Sequence, residues 1–331
     1  MTNKELLLAA LDNRETERLP VGFWFHFLAD SEKNKGLERP ELAERSLEGH
    51  RRYIEQFRPD FVKIMSDGFF GYPQKGEEVK LDLGVEKIGD LAKFQPVAED
   101  HPWIQAQIAQ IRKITALQKD TMYFYNIFGP STTLKRLIGL EAFVQYFRED
   151  PRSLAEALLR MAEGIAVQTR SAIQAGGADG VYLSVQNPDI TRITDEAYHR
   201  YIGPADKIVL DAANGASENN ILHICGYRGC RNRLEAWTGY KARAYNWAVN
   251  VEGLSLSAGK KLFGGAAVIG GFANTADDPL YRGSKQEIEA CTGKIIAEAG
   301  RKGVILGADC TVPDDTPFEH FEWVRERAGA R

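Results

Sequence analysis

Residues 180–186 read GVYLSVQ, a short and mostly apolar run that follows a pair of glycines, Gly176 and Gly177. Runs of this kind, bounded by Gly, Pro or Asp, are typical of strands that are buried on both faces of a parallel sheet. Similar runs lie at residues 21–27, 61–67, 122–128, 220–225, 242–248, 266–272 and 303–310. The sequence therefore predicts a sheet of parallel strands, one for each run.

Helical patterns separate these runs. Residues 153–176 read SLAEALLRMAEGIAVQTRSAIQAG, with apolar residues three and four positions apart. A second helix is predicted to start at Ser284, with Glu287 completing a capping box, and to end at Gly300. A third is predicted from a capping Thr316 with Pro317 in its first position.

This alternation predicts an α/β fold, a (β/α)8 TIM barrel, for which ~250 residues plus insertions is the usual size. A doubly wound open sheet is the competing architecture. The residues before Pro20 predict a short N-terminal helix, and the long segment 71–121 predicts extra helices after the second strand. No linker-like stretch divides the chain, so one domain is expected over residues 1–331.

The composition and charge of the chain argue against several classes of function. Lys and Arg number 42 against 46 Asp and Glu, a net charge of -4, which gives no support for a nucleic-acid partner or an anionic membrane surface. No run approaches the ~20 apolar residues of a membrane span. Four cysteines in 331 residues are too few for a disulfide scaffold. We expect a cytoplasmic protein with reduced thiols.

In a barrel, residues at the carboxyl ends of the strands point into the mouth, where the chemistry takes place. Three of the polar residues at these positions are soft metal ligands. The polar residues at the predicted strand ends are His26, Asp67, Asn126, Ser184, Gln186, His223, Cys225, Asn246, Asp309 and Cys310.

His223 and Cys225 lie two residues apart at a strand end, so their side chains point to one side. Cys310, at the end of the last strand, opens on the same rim of a barrel. Two Cys and one His bind Zn²⁺ well and leave a fourth position open, as in catalytic sites. Alternatively, the cysteines are small buried apolar groups and the histidine a hydrogen-bonded core residue.

The other cysteines and histidines have plainer interpretations. Cys291 stands in a helical pattern and is expected to pack in the core, whereas Cys230 is either a loop thiol or a further zinc ligand. Asp309 either lines the site or caps a helix. The remaining histidines, in helical or loop contexts, are expected at the surface; they are His50, His101, His199 and His320.

The motifs LHICG and ADCTVPDDTP resemble the uroporphyrinogen decarboxylase superfamily, and specifically its zinc-dependent methyltransferases that act on methylcobalamin and thiols such as coenzyme M. The likeness includes RLPVGFWFHF, FVKIMSDGFF, FGPSTTLKRLIG and AGGADGVYLSVQ. It implies a zinc ion held by His223, Cys225 and Cys310, before the Thr316-Pro317 pair. It also implies the barrel fold and a possible homodimer.

The resemblance leaves a decarboxylase acting on a tetrapyrrole as the alternative. Decarboxylases of the family carry an Arg-rich segment after the first strand, but here FWFHFLADSEKNKG contains no Arg between Arg18 and Arg39. Several substrate carboxylates would then lack their guanidinium partners. The tyrosine expected in GPSTTLKR is also missing, whereas Asp67 matches the family's aspartate.

The implied reaction moves a methyl group from a methylated corrinoid to a zinc-activated thiol or related acceptor. The corrinoid would be carried by a separate protein, because this chain has no D-x-H-x-x-G motif. The remaining mouth residues are expected to line the site or to form a satisfied core network. Of these, Asp67, Tyr182 and Gln186 are predicted as catalytic, and His26, Ser184 and Asn126 as cofactor-binding.

Overall fold

The computed structural model describes residues 1–73, 84–187, 189–226 and 229–330. Part of the long predicted segment 71–121 therefore lies outside the described residues. Within them, seven parallel strands form one curled sheet, and each strand pairs with the next along the chain. The strands are β1 (Phe61–Ile64), β2 (Met122–Phe128), β3 (Gly180–Val185), β4 (Ile221–Ile224), β5 (Ala244–Trp247), β6 (Ala267–Phe272) and β7 (Val304–Ala308).

Helices connect the strands, as the alternation predicts. Short 3₁₀ turns occur at Asp30–Glu32, Ile88–Lys93 and Leu234–Trp237. The α-helices are α1 (Asn3–Leu11), α2 (Glu41–Phe57), α3 (Pro102–Thr115), α4 (Pro130–Ile138), α5 (Leu140–Glu149), α6 (Pro151–Gln174), α7 (Asp195–Tyr201), α8 (Gly203–Ala216), α9 (Val249–Glu252), α10 (Leu256–Leu262), α11 (Pro279–Arg282), α12 (Lys285–Ala299) and α13 (Phe318–Gly329). Among the described helices, none is both long and apolar enough to cross a bilayer.

The run predicted as the first strand, 21–27, is only partly strand-like. Val21 forms an isolated parallel bridge with Leu306 of β7. Its carbonyl also accepts a hydrogen bond of 3.1 Å from the N–H of Asp60, next to β1. The segment thus lies between the two outer strands of the sheet, but it leaves the ladder after one bridge. The eighth strand of the predicted barrel is not seen as a strand in the described residues.

The two faces of the sheet are buried differently. Alternate strand positions, such as Tyr123 and Tyr125, pack outward against the helices in the large cluster of the core. The intervening positions, such as Phe124, form a smaller inner cluster with α1. The N–H of Lys4 in α1 donates to the carbonyl of Asp120 at 2.8 Å, immediately before β2. Helix α1 therefore lies at the amino ends of the strands, which we call the base.

The inner face turns polar towards the carboxyl ends of the strands, which we call the mouth. Two positions after the inner residue Phe61 comes Lys63, and two after Ile221 comes His223; both are buried. The same spacing places buried Asn126, Ser184 and Asn246 on β2, β3 and β5. The two-residue alternation of strands thus carries polar side chains into the mouth.

The helix-end predictions have mixed outcomes. Ser284 and Glu287 form the capping box of α12, and Gly300 follows its end, as predicted. The prediction for α13 is wrong, because the helix begins at Phe318 with Pro317 as its N-cap residue. The hydroxyl of Thr316 donates instead to the carbonyl of Pro313 at 2.7 Å, so it does not cap the helix.

Candidate metal centre at the mouth

The three predicted ligands come together at the mouth. The ligand atoms of His223, Cys225 and Cys310 all lie within 4.8 Å of one another. The Sγ of Cys310 lies 3.6 Å from Nε2 of His223. His223 is on β4, and the N–H of Cys225 donates to the carbonyl of Val185 at 2.9 Å. This bond carries the pairing with β3 past the end of β4, so the imidazole and the thiol keep their common side.

The orientation of the His223 ring is fixed by Asn246, its register partner on β5. Both hydrogens of the Asn246 amide are used, because Nδ2 donates to the carbonyls of Ile269 at 2.9 Å and Ala308 at 3.2 Å. The amide oxygen therefore faces His223, with Oδ1 at 2.5 Å from Nδ1. An amide oxygen only accepts, so Nδ1 carries a proton and Nε2 is the ring nitrogen that faces the sulfurs and can bind a metal.

The common environment of the two thiols shifts their pKa values in opposite directions. A hydrogen bond from the Cys225 thiol lowers the pKa of Cys310, and the nearby His223 and Lys63 lower it further. The same hydrogen bond and burial raise the pKa of Cys225. The cluster therefore stabilises one thiolate before any metal binds, and a thiolate is the form that coordinates.

Lys63 is a feature of the mouth that the sequence analysis missed. Its side chain is buried, and its Nζ lies 4.2 Å from the centre of the Tyr182 ring and 5.0 Å from that of Trp24. Burial lowers the pKa of Lys63 to about 8. The sequence alone indicates this site, because a lysine interrupts the apolar run FVKIM. A charged side chain is rarely buried in a strand without a specific partner.

Tyr182, Ser184 and Gln186 are all buried at or just beyond β3. The Tyr182 ring packs against His223, with the ring centres 5.7 Å apart, and against Trp24 at 5.3 Å. Among the described residues, the Oη of Tyr182 and the Nε1 of Trp24 are buried without a hydrogen-bond partner. Tyr182 and Trp24 therefore each hold a hydrogen-bond donor that no described protein group accepts.

Asp67 and His26 lie together, outside the three-residue cluster. The Asp67 carboxylate contacts Nδ1 of His26 at 2.9 Å and accepts the N–H groups of Phe27 at 2.7 Å and Leu28 at 3.3 Å. Asp67 therefore anchors the loop that follows the Val21 bridge. Asn126, the remaining predicted site residue, donates to the hydroxyl of Ser66 at 2.9 Å.

Two histidines expected at the surface are buried. His50 accepts the N–H of Met65 at 3.2 Å through Nε2, and its other ring nitrogen contacts the carbonyl of Ser46 at 2.7 Å. His320 lies beneath α11, with Nδ1 2.8 Å from the carbonyl of Leu280. Both predictions failed because a helical pattern places a residue on a helix without telling which neighbours cover it. His199 is exposed, as expected.

The remaining candidates are also placed. Asp309 accepts the N–H and the side-chain amide of Asn250 at 3.0 and 3.1 Å, and so binds the first turn of α9 from outside the helix, whose N-cap residue is Ala248. Burial raises the pKa of Asp309 to about 7. Cys291 packs in α12 against the core, as predicted, and Cys230 is exposed outside the metal cluster.

A curled parallel α/β sheet with reactive side chains at the carboxyl ends of its strands is the architecture of the barrel enzymes. The comparisons with known proteins give the family. The model of the family described as Uroporphyrinogen decarboxylase (URO-D) matches residues 2–330, so the chain belongs to the uroporphyrinogen decarboxylase family. This confirms the resemblance drawn from the LHICG and ADCTVPDDTP motifs.

Relatives with two different activities match the chain. A methylcobamide:CoM methyltransferase, MtbA, of Methanosarcina mazei is 22% identical over 99% of this chain and 97% of its own length. A uroporphyrinogen decarboxylase of Trichodesmium erythraeum is 24% identical over 86% of this chain and 82% of its own. The chain is thus an enzyme of this superfamily, with a methyltransferase or decarboxylase-like function.

A solved structure supports the fold. A methyltransferase from Methanosarcina mazei superimposes with a TM-score of 0.71 at 17% identity, covering 99% of this chain and 98% of the other. At that identity, the likeness bears on the fold alone.

Proposed function

We propose that the chain is a zinc-dependent methyltransferase that moves a methyl group from a methylated corrinoid, carried by a separate protein, to a thiol. The observation that carries the proposal is the cluster of His223, Cys225 and Cys310, whose ligand atoms lie within 4.8 Å of one another. The Methanosarcina mazei relative, a methylcobamide:CoM methyltransferase, supports the same reaction class.

The donor set fits zinc. One imidazole nitrogen and two thiolate sulfurs suit Zn²⁺, and three protein ligands leave a fourth position for a substrate. The fixed tautomer of His223, with its lone pair on Nε2, is the form that coordinates. When bound, zinc supplies a Lewis acid that holds a thiol in its deprotonated, nucleophilic form.

The residues of the chain would then position the acceptor. His223, Cys225 and Cys310 would hold the zinc at the mouth, with its open position for the acceptor sulfur, and Trp24 and Tyr182 would wall the inner side of the site. The unpaired Oη of Tyr182 and Nε1 of Trp24 can donate to polar atoms of the acceptor or the corrinoid. The acceptor sulfur loses its proton and gains the methyl group, and the electron pair of the cobalt–carbon bond remains on cobalt.

The other predicted site residues have weaker support. Ser184, Gln186 and Asn126 are buried at the mouth and are proposed to line the corrinoid or acceptor site. His26 and Asp67 are proposed to hold the loop above it, because the carboxylate is engaged by the loop itself. We also propose that residues 20–22 close the sheet into an eight-stranded barrel within one domain, because they hydrogen-bond to Leu306 of β7 and to Asp60 immediately before β1.

Tetrapyrrole decarboxylation has less support. In that reaction Asp67 would bind the substrate, but its carboxylate would first have to lose its contacts with His26 and with two main-chain N–H groups. Of the cations near the first strand, Arg18 pairs bidentately with Asp60 at 2.6 Å, next to the amino end of β1, far from carboxylates held at the mouth.

The test combines zinc-loaded protein with methylcobalamin and a panel of thiols, including 2-mercaptoethanesulfonate. We expect loss of the methylcobalamin absorbance and stoichiometric formation of the methyl thioether, measured by mass spectrometry. Zinc removal should abolish both, and Cys291→Ser should leave both unchanged. Porphyrinogen decarboxylation that persists in the zinc-free protein, without methyl transfer, would establish the alternative instead.

A further inference from the structure

Lys63 is the buried cation at the mouth whose partners in the described residues are aromatic rings rather than carboxylates. Its Nζ lies 4.2 Å from the Tyr182 ring centre and 5.0 Å from that of Trp24. Of the described carboxylates, none lies within 4.0 Å of this nitrogen. Burying an unpaired ammonium is costly, and ring faces offset only part of that cost.

The rings that hold Lys63 also pack on the metal cluster. The His223 ring centre lies 5.7 Å from Tyr182 and 6.5 Å from Trp24. Burial lowers the pKa of Lys63, and the nearby Cys310, Cys225 and Asp67 raise it in that order. Asp67 is already engaged by His26 and two main-chain N–H groups, so the sulfurs are the groups left for Lys63 to balance. Lys135 also acts on Cys225, whereas Lys63 acts on both Cys310 and Cys225.

The net charge of the zinc-loaded cluster changes when an acceptor thiolate binds. With its Nδ1 proton held by Asn246, His223 can coordinate a metal only through Nε2, as a neutral imidazole ligand. A Zn²⁺ ion with two cysteine thiolates and a neutral imidazole carries no net charge. An acceptor thiolate in the open position adds one negative charge in a buried environment, where an opposite charge is most effective.

We propose that Lys63 is the fixed positive charge that stabilises the acceptor as a thiolate at the cluster, and so selects anionic sulfur over neutral ligands. This inference rests on the proposed function and deepens it. Lys63 is a positioning residue that acts through the field at the sulfur, and the aromatic pair keeps its ammonium in place without a neutralising carboxylate.

The test uses Co²⁺-loaded protein, whose sulfur-to-cobalt absorption band reports thiol binding, and compares 2-mercaptoethanol and 2-mercaptoethanesulfonate with imidazole at pH 7. We expect Lys63→Met to weaken 2-mercaptoethanol binding by about tenfold or more and to leave imidazole binding unchanged, because a neutral ligand adds no charge. Lys63→Arg should restore thiol binding to within about threefold of the wild type. Lys207→Met removes a lysine held 5.6 Å from the Tyr240 ring on the outer face and should change neither.

Four outcomes are decisive. Wild-type affinity for 2-mercaptoethanol in Lys63→Met, with metal still bound, would overturn the inference and leave the proposed function standing. An equal loss of imidazole binding would show a structural role only. A loss confined to 2-mercaptoethanesulfonate would show that Lys63 holds the tail of the acceptor, not its sulfur. Failure of the wild type to bind metal would overturn both proposals.

Discussion

The base and the mouth of the sheet are built from the same strands but from opposite kinds of side chain. At the base, Leu7 and Leu11 of α1 pack on inner residues such as Phe61 and Ile221. At the mouth, two residues further along β1 and β4, the inner positions are Lys63 and His223. A single alternation thus yields an apolar plug at one end and a polar site at the other.

The difference shows how stability and chemistry are separated. Burial of apolar surface at the base is favourable without any specific partner. Each buried polar group at the mouth costs free energy unless it is hydrogen-bonded. Asn246 meets that requirement fully, but Tyr182 and Trp24 each leave a polar atom unpaired in the described residues. The mouth therefore carries buried polar groups that the protein itself does not fully satisfy.

The largest expected effect removes a mouth ligand. Cys310→Ser replaces a soft thiolate with a hydroxyl, and we expect bound zinc to fall well below one per chain, with methyl transfer reduced by about a thousandfold or more. Zinc content by mass spectrometry and the methylcobalamin assay measure both. The control is Cys291→Ser, which alters a thiol in α12. Normal zinc content in Cys310→Ser would place the metal elsewhere.

The next effect acts on the base. Leu7→Ala leaves a cavity beneath the inner cluster and should lower the free energy of unfolding by about 3 kcal/mol, without changing zinc content. Leu8→Ala, on the same helix but less buried, should cost clearly less. Urea denaturation measures both. If Leu7→Ala also released the zinc, the two ends of the sheet would not be independent.

A smaller effect concerns the support of His223. Asn246→Ala removes the acceptor of the Nδ1 proton, and we expect about 10- to 100-fold weaker zinc binding, as for other outer partners of metal ligands. Competition with a chelator gives the affinity. The matched control is Asn214→Ala, at an exposed asparagine of α8. Unchanged affinity in Asn246→Ala would remove the tautomer argument while leaving the cluster itself intact.

The last prediction concerns a pH dependence of stability at the mouth end of β1. Burial lowers the pKa of His50 to about 4, from an ordinary value of 6.5, and the neutral ring accepts the N–H of Met65. The unfolded chain takes up this proton first as the pH falls. Stability should therefore decline from pH 6.5 towards pH 4, by at most about 1.4 kcal/mol per pH unit.

The His50 contribution is isolated by comparing variants. His50→Gln should lose this part of the pH dependence of the unfolding free energy, whereas His199→Gln, at an exposed histidine, should retain it. Parallel pH profiles for wild type and His50→Gln would refute the assignment.

The sequence predicts the metal cluster because two local rules suffice for it. The spacing of His223 and Cys225 sets a common side, and parallel strands bring the end of β7 to the same rim as β4. The seven strands follow from equally local patterns. The run 21–27 misleads because its apolar residues pack into the core from a loop tied down by Asp67.

The supporting contacts could not be predicted, because each depends on several elements at once. The role of Asn246 is set by carbonyls on β6 and β7, and the buried state of His50 by a neighbouring loop. The position of Lys63, in contrast, is predictable from the sequence of β1 alone. Lys63 is a charged residue in the middle of an apolar run, and the two-residue alternation of β1 places its side chain on the inner face at the mouth.

The central claim is that His223, Cys225 and Cys310 hold zinc and leave a position for an acceptor sulfur. X-ray absorption at the zinc edge of the purified protein tests it directly. The account predicts two sulfur ligands at about 2.3 Å and one imidazole nitrogen at about 2.0 Å, with a third sulfur after addition of 2-mercaptoethanol. A zinc shell without sulfur, or one that gains no sulfur from the thiol, would contradict it.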